Sequence, residues 1–399
     1  MPAATLAATS DELAVGTDLR RRLHQIPEIA YQEFKTAELI RSELTRLGIP
    51  FVAGPADAPT ATIAWLGDPT KPCIALRADI DALPISEATG ADYASTHPGN
   101  MHACGHDGHA ANLLTAAAVF KRAVAKLPVC VKLIFQPAEE GGGGAEVLVK
   151  AGVLDGRIGP KVSQIFGLHG WPGLPLGVVS TRPGPLMAST DALKITVRGS
   201  GCHGAFPHLG RDPIVVAAEI LISLQTVVSR ETDPTDSSVV TIGTFHAGTA
   251  TNVIPDVAVL TGTVRALNDA TRARNREAIL RRCKGIADAY GCVADVEYEQ
   301  GYPATQNDPA MAQRVATTAR DLFGPARFLP AATPVMGGED FAYYLEKVPG
   351  AFFFVGLCPE GRASYPPLHT DRFDFVDAAL DTGTKMFLSL VEQFANENR

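Results

Sequence analysis

Apolar positions in the first half of the chain repeat with two different periods. Ser10 and Asp11 are suitable caps for a first helix that runs to His24, and apolar residues at 37–47 recur at three- and four-residue spacing before Gly48. Short continuous apolar runs separate such stretches, and they read TATIAWL, PCIALRA, VCVKLIF and SQIFGLH, with AFFFVGL near the end. Strands that alternate with helices predict an α/β fold with a mixed, largely parallel sheet flanked by helices.

The pattern changes after residue 185. The next elements read strand ALKITVRG, helix DPIVVAAEILISLQTVVS, strands SSVVTIGTFHAG and VAVLTGTVRAL, helix RNREAILRRCKGIADAY and strand VADVEYE. This βαββαβ order is typical of a split ferredoxin-like α+β unit. We therefore expect one α/β domain built from residues 1–185 and 300–399, with residues 186–299 inserted as a smaller domain.

Composition excludes several classes of protein. The chain has 399 residues, of which 46% are hydrophobic and 20% charged, and 35 basic against 43 acidic residues give a net charge of −8. This is a globular composition, and its acidic balance argues against a nucleic-acid partner. No apolar run approaches a membrane span, the start resembles no secretory signal, and seven scattered cysteines do not suggest a disulfide framework. We expect a cytoplasmic enzyme with no membrane partner.

Residues able to bind metals collect at two turns in the first half. In MHACGHDGH, the Cys104 thiol and the His106 imidazole stand two residues apart in a glycine-containing turn and can face one ion. In QPAEEGGGG, Glu139 and Glu140 follow a predicted strand, where one carboxylate can bind metal while its neighbour takes a proton from water. Each group alone also fits an ordinary polar loop or an acidic surface pair.

Two more histidines extend the set. His169 in FGLHG is predicted to close an apolar strand, and His369 lies in PPLHTD. Either one alone would be an ordinary polar residue, but four such groups in one chain favour a shared site. Two metal ions with a common bridging ligand could be held by Cys104, His106, Glu140, His169 and His369. Glu139 is then not needed as a metal ligand.

The motifs together resemble a known family. RADIDALP, MHACGHDGHAA, FQPAEEGGGGA, GLHG, SGCHGAFPH, TNVIPD, GTVR, GGEDFAYY and PPLHTD are similar to the binuclear metal-dependent amidohydrolases. That family includes hippurate hydrolase, auxin-conjugate amidohydrolases and N-acyl-amino-acid deacylases, and it is related to aminoacylase and glutamate carboxypeptidase. The resemblance implies hydrolysis of small N-acyl amino acids, including hippurate-like N-aroyl ones, an inserted lid or dimerisation domain, and a homodimer or higher homo-oligomer.

The resemblance also implies how the ligands are shared. Cys104 corresponds to the bridging position, His106 and His169 complete one metal, and Glu140 and His369 complete the other. We expect two divalent ions per chain. A thiolate with three imidazoles favours zinc, and manganese, cobalt or nickel are the alternatives.

One motif departs from the carboxypeptidase-like relatives. They take a histidine ligand from an HxD motif, whereas this chain has Arg77-Ala-Asp79, so His106 is expected to replace that ligand. Asp79 would then orient an imidazole through its other ring nitrogen. The alternative is a simple turn residue.

Four further residues receive roles from the resemblance. Glu139 is the general base that takes a proton from a water acidified by the metals and passes it to the leaving amine. His203 stabilises the oxyanion from the neighbouring subunit's lid, and Asn252 with Arg265 binds the substrate carboxylate. A loop histidine and an edge-strand arginine are the plain alternatives for His203 and Arg265.

Two other functions remain open from sequence. Cys104 could act as a nucleophile with a histidine, although the other proposed ligands would then have no purpose. A non-catalytic metal-binding relative could retain the fold, although all ligand positions and the base are filled here. His24 and Glu28 are interpreted as structural, while His109, Glu339 and Asp340 receive no role.

Overall fold

The chain folds as two units, each with its own sheet and core. The computed structural model describes residues 6–399, with the side chain of residue 126 left aside. The first unit contains the residues up to Gly184, Gln306–Ala332 and Asp340–Arg399. The second contains Pro185–Thr305 and the short segment Thr333–Glu339, which the sequence pattern had placed with the first.

Helices and strands alternate through most of the chain. The α-helices are α1 (Ser10–His24), α2 (Phe34–Arg46), α3 (His106–Ala123), α4 (Gly144–Ala151), α5 (Pro213–Thr226), α6 (Asp269–Ala289), α7 (Pro309–Phe323), α8 (Ala342–Leu345) and α9 (Ala379–Glu397). The strands are β1 (Phe51–Ala53), β2 (Thr62–Leu66), β3 (Cys73–Asp79), β4 (Cys130–Gln136), β5 (Val162–Pro175), β6 (Val179–Thr181), β7 (Gly184–Met187), β8 (Asp191–Arg198), β9 (Cys202–His203), β10 (Ser238–Ala247), β11 (Val253–Ile254), β12 (Val257–Ala266), β13 (Val293–Gln300), β14 (Thr305–Asn307), β15 (Phe328–Pro330) and β16 (Gly350–Cys358).

An eight-stranded mixed sheet forms the centre of the first unit. Its strand order is β1-β2-β4-β3-β5-β16-β6-β15, and the four central strands β4, β3, β5 and β16 are parallel. Every residue of β3 and β4 is buried, as the continuous apolar runs predicted. The sheet and its helices confirm the predicted α/β class.

The second unit contains a four-stranded antiparallel sheet. Its order is β10-β12-β8-β13, and α5 and α6 contribute to the core on this sheet. Along the chain these elements follow the predicted βαββαβ order. Ile195 of β8, Ile220 of α5 and Ile279 of α6 are fully buried in that core.

Helix α1 begins as the pattern predicted but with a different cap. The N-cap is Thr9, whose hydroxyl accepts from the backbone of Glu12 while the Glu12 carboxylate accepts from the backbone of Thr9. The prediction of Ser10 and Asp11 as caps was therefore wrong by one to two residues. The capping box satisfies two backbone N–H groups at once, which favours Thr9 over its neighbours.

One helical segment of the described residues is long and apolar enough to cross a membrane by length and composition. It is Pro213–Glu231, which comprises α5 and a π-helical extension. A single segment of this kind is weak evidence, since core helices pass the same test. Its inner face packs in the core of the second unit, where Val216, Ala217, Ile220 and Leu224 are buried.

His24 at the end of α1 joins a buried network of charges. Its Nδ1 lies 2.8 Å from Asp107 Oδ2 and its Nε2 lies 3.3 Å from Glu87 Oε1. Arg20 is fully buried beside them, with Nη1 3.4 Å from the same Asp107 oxygen. Burial opposes protonation of His24, but Asp107 and Glu87 outweigh it and raise the pKa to about 9. These contacts agree with the structural interpretation of His24.

The network predicts a loss of stability in alkali. Because the pKa of His24 is raised, its contribution is fully present below the unfolded value near pH 6.5 and is lost as the pH rises through about 9. The free energy of unfolding should fall by at most about 3 kcal/mol over that window. Denaturant midpoints between pH 6.5 and 9.5, measured with a chelator present, would show it. A flat profile, or an equal fall in His24→Gln, would contradict this assignment.

Candidate metal centre and active site

Cys104 and His106 stand on either side of a tight turn that begins α3. Gly105 between them is the N-cap, with a left-handed φ of 86°. A Cβ on Gly105 would lie 3.1 Å from the Phe375 ring, and one on Gly108 would lie 2.3 Å from it. Glycine at these positions thus lets the start of α3 approach the aromatic core, and the side chains of the candidate ligands Cys104 and His106 are buried there.

The structure brings the five predicted metal ligands together in the first unit. The ligand atoms of Cys104, His106 and His169 lie within 4.8 Å of one another, and so do those of Cys104, Glu140 and His369. Cys104 Sγ is 3.3 Å from His169 Nε2, and His369 Nε2 is 3.1 Å from Glu140 Oε1. Cys104 is therefore common to two sets of three ligands.

Glu139 lies beside these groups. One of its carboxylate oxygens is within 4.8 Å of the ligand atoms of His106 and Glu140, and the side chain is buried. The backbone N–H of Asp340 donates to Glu139 Oε1 across 3.4 Å. The two adjacent glutamates therefore serve one site, because the turn after β4 does not continue the alternation of the strand.

Two of the histidines have unexpected backbone positions. His169 does not close its strand, because β5 continues to Pro175 and His169 pairs with Phe354 of β16 inside the sheet. His369 has a left-handed φ of 61°, and its N–H donates to Ala103 O at 2.8 Å. This bond holds the exposed His369 loop against the segment that carries Cys104.

Asp81 contacts both halves of the ligand cluster. Its Oδ1 lies 3.1 Å from His106 Nδ1, and its Oδ2 accepts from the backbone N–H of Glu140 at 2.9 Å. Asp79 instead lies 2.6 Å from His109 Nδ1 and 3.7 Å from His106 Nε2. Asp81, and not Asp79, therefore orients the His106 ring through its Nδ1 atom. The sequence analysis missed Asp81, although it stands two residues after Asp79 in RADIDALP.

His109 links Asp79 to the strand that carries His169. The backbone N–H of Gly170 donates to His109 Nε2 at 2.8 Å, so Nε2 is an acceptor and Nδ1 carries the proton towards Asp79. Burial lowers the pKa of His109, which keeps this neutral form, while Asp79 opposes that shift. His109 therefore has a positioning contact, although no role was expected for it from the sequence.

Carboxylates are buried around the Cys104 thiol, so the negative charge of the cluster is not balanced. Burial raises the pKa of Cys104 well above its usual range, and the Glu140 and Glu139 carboxylates raise it further. Burial opposes protonation of His106, but Asp79 and Asp81 outweigh it and raise the pKa to about 10. A divalent cation would supply the missing positive charge.

The donor set fits such a cation. Within residues 6–399, the buried Nε2 of His106 has no hydrogen-bond partner, so one imidazole lone pair or N–H is left for a ligand. A thiol, three imidazoles and a carboxylate are donors that divalent transition-metal ions bind in proteins.

Arg77 forms buried ion pairs with two acids of the site, Asp79 and Asp340. Its guanidinium donates to Gln136 Oε1 at 2.8 Å, to Asp79 Oδ2 at 2.6 Å and to Asp340 Oδ1 at 2.8 Å, all buried. Asp340 also accepts from the backbone N–H of Ala145 at 2.9 Å. Asp340, which the sequence left without a role, therefore pairs with the arginine that stands at the HxD histidine position.

The remaining predicted residues lie in the second unit. His203 of β9 pairs with Val253 of β11, next to Asn252, and both side chains are exposed in the single chain. Arg265 lies near the other end of the sheet, opposite Val239 of β10. Strand β12 begins at Val257, three residues after the end of β11, and eight residues at about 3.3 Å each separate that end from Arg265 by roughly 26 Å.

Comparison with known proteins identifies the family of this chain. The model of peptidase family M20/M25/M40 matches residues 75–393. The chain belongs to this family. The match confirms the predicted resemblance and, with it, the predicted class of enzyme, a hydrolase of amide bonds.

The relatives of this M20 chain extend over most of its length. It is 38% identical over 397 residues to IAA-amino acid hydrolase ILR1-like 4 of Arabidopsis thaliana, covering 98% of this chain and 88% of the relative. It is 40% identical over 366 residues to N-acetyl-L-cysteine deacetylase of Bacillus subtilis, covering 90% and 85%. A crystal structure of the Bacillus subtilis YXEP protein, called a dinuclear metal binding peptidase from the M20 family, aligns with a TM-score of 0.84 at 36% identity and covers 98% and 100%.

The geometry predicts that divalent ions bind and stabilise the protein. At a free concentration a hundredfold above Kd, an ion that binds the folded state alone adds about 2.7 kcal/mol. Chelation should therefore lower the melting temperature, and zinc, manganese or cobalt should restore it. His369→Ala should lose metal, whereas the exposed His208→Ala outside the cluster should keep it. Equal metal content in both variants, by elemental analysis, would contradict the ligand set.

Proposed function

We propose that this M20 protein is a metal-dependent amidohydrolase that releases the amino acid from N-acyl amino acids, including N-aroyl ones of the hippurate type. The observation that carries the proposal is the pair of ligand sets that share Cys104, with the Glu139 carboxylate beside them. Relatives named for IAA-amino acids and N-acetyl-L-cysteine support the substrate class, since both names describe an amino acid with an acylated nitrogen.

Each ligand has a proposed place. Cys104, His106 and His169 would hold one divalent ion, and Cys104, Glu140 and His369 would hold the other. When bound, the ions act as Lewis acids that polarise the amide carbonyl and lower the pKa of water. Zinc is the proposed metal, because the thiol is a soft ligand.

The proton transfers fall to Glu139. Its carboxylate is buried, and its oxygen lies within reach of the cluster of ligand atoms. Glu139 would accept a proton from the attacking water and deliver it to the nitrogen of the leaving amino acid. Asp340, through its backbone N–H, limits the rotation of this carboxylate.

The substrate contacts proposed for the second unit require two chains. His203 and Asn252 lie at the β9–β11 pair, which precedes β12 in the chain, and Arg265 lies near the far end of β12, which extends roughly 26 Å from Val257 to Arg265. One small N-acyl amino acid cannot span that distance within a single chain. We therefore infer that a site takes Arg265 from one subunit, and His203 with Asn252 from another.

A surface for a second copy is available in the same unit. Strand β10 lies at the edge of the sheet, and α5 exposes an apolar stripe that includes Val215 and Ile222 at 47% and 62% exposure. Phe206 and Leu209, just before α5, are also exposed. An open sheet edge beside a bare apolar stripe suits pairing with an identical chain.

The state of the cysteines is our basis for proposing a cellular compartment. All seven are free thiols, and two of them, Cys73 and Cys130, stand opposite each other on paired strands without a bridge. Reduced thiols in such positions are typical of a reducing compartment, so we propose the cytoplasm.

The central experiment joins metal content to turnover. Elemental analysis should find about two ions per chain, and hydrolysis of hippurate and N-acetyl amino acids should stop on chelation and return on add-back. Glu139→Gln should keep the metals and lower kcat by roughly 10²–10⁴. Turnover that survives chelation would favour Cys104 as nucleophile, and metal without hydrolysis of any N-acyl amino acid would favour a binding protein.

Subunit sharing predicts complementation between inactive variants. When His203→Ala and Arg265→Ala chains are dissociated, mixed and reassociated, each hybrid dimer should regain one intact site, which gives roughly a quarter of the wild-type sites. The matched control mixes His203→Ala with Asn252→Ala, whose lesions lie at the same end of the sheet, and should regain nothing. Equal activity of the two mixtures would contradict sharing between subunits.

A further inference from the structure

Backbone strain in the described chain coincides with the candidate site. Apart from glycines, the residues with positive φ between positions 6 and 399 are Tyr31 at 62°, Ala138 at 57° and His369 at 61°. For residues with a Cβ this conformation is costly, and it persists where surrounding contacts fix it. His369 is a proposed ligand and Ala138 directly precedes the proposed base, whereas Tyr31 is more than 100 residues away in sequence.

One carboxylate joins two of these strained residues. Glu33 Oε1 accepts from the N–H of Tyr31 at 3.0 Å and from the N–H of Ala138 at 2.9 Å. Its other oxygen, Oε2, accepts from Thr60 Oγ1 at 2.7 Å. Glu33 is completely buried, so these bonds are made away from solvent.

The tyrosine reaches the far side of the same turn. Tyr31 Oη donates to Gly142 O at 2.8 Å. A Cβ on Gly142 would lie 2.6 Å from the Ala138 side chain and 3.1 Å from the Tyr31 ring, so these groups pack closely. The turn at residues 138–142, which carries Glu139 and Glu140, is therefore held at its start by Glu33 and at its end by Tyr31.

An ordinary structural role does not account for Glu33. It occupies the N-cap position of α2, yet its side chain makes no capping bond to that helix. The carboxylate instead accepts from a backbone N–H that is 105 positions away in sequence. Burial raises its pKa to about 7, so the position disfavours the charged form of the group. A helix cap alone would need neither the burial nor the distant partner.

We propose that Glu33 and Tyr31 act as positioning residues that hold the turn at residues 138–142, and thereby aim the Glu139 carboxylate and set the Glu140 ligand. The inference deepens the proposed function, on which its catalytic part rests. Glu33 fixes the strained Ala138 peptide and Tyr31 fixes Gly142 O, so the turn keeps one shape while Glu139 exchanges its proton. Neither residue touches the substrate in this scheme.

The test distinguishes positioning of the Glu139 carboxylate from a role in substrate binding. Glu33→Met removes both acceptor oxygens at similar length, and kcat should fall roughly 10–100-fold while KM stays within about threefold. Glu33→Gln keeps a carbonyl oxygen for Ala138 and Tyr31, so it should restore most of kcat. Tyr31→Phe removes one hydrogen bond at the far end of the turn and should cost several-fold; it also decides the matter if Glu33→Met fails to fold.

A control variant and a second readout remove stability as an explanation. Leu44→Ala in the buried face of α2 destabilises the same helix without touching the turn, and its kcat should stay near wild type. Amide hydrogen exchange at residues 138–145 should quicken in Glu33→Met and Tyr31→Phe but not in Leu44→Ala.

The outcomes discriminate between the two proposals. Unchanged exchange, or unchanged kcat with quickened exchange, overturns the positioning role, and so does an equal loss of kcat in Leu44→Ala. If the wild type hydrolyses no N-acyl amino acid, the proposed function fails, while the exchange at residues 138–145 still decides whether Glu33 and Tyr31 hold the turn.

Discussion

The carboxylate of Asp81 ties together the two segments on which the site depends. One oxygen meets the His106 ring and the other meets the backbone of Glu140, which lies 59 positions further along the chain. Both oxygens are buried, so loss of either partner would leave a charged acceptor unpaired, which is far more costly than the gain from one bond. The strand β3 and the turn after β4 therefore cannot move independently once Asp81 is in place.

Because the groups of the site are buried, their charges influence one another strongly. Asp79, Asp81, Glu139 and Glu140 lie close to Cys104 and the site histidines, and the nearby Arg77 is committed to Asp79 and Asp340. Such an arrangement costs folding free energy unless positive charge is added. A bound cation would repay that cost, so metal binding and the stability of the first unit should be coupled.

The sequence predicted what local patterns determine. Continuous apolar runs located β3, β4 and β16, and helical spacing located α2, because each pattern extends over a whole element. Strands of three or four residues, such as β6 and β15, were missed because so few residues show no period. The ligand residues were predictable since cysteine, histidine and glutamate at turns have recognisable chemistry, and the resemblance then assigned their roles.

Contacts made across long separations could not be predicted in the same way. Asp81 looks like a repeat of Asp79 until the fold turns one carboxylate to His106 and the other to His109. Glu33 looks like a helix cap, and its real partner is fixed only when α2 packs beside the turn at residues 138–142.

The second unit shows the same limit on a larger scale. TNVIPD and GTVR are neighbouring motifs in sequence, and Asn252 and Arg265 were grouped as one clamp because of the resemblance to the family. Asn252 instead directly precedes β11, which pairs with β9 before β12 begins, whereas Arg265 is the last residue but one of β12. Under the proposed function, a joint contact of Asn252 and Arg265 with one substrate carboxylate would involve two copies of the unit, and the exposed edge of β10 is a candidate surface for their pairing.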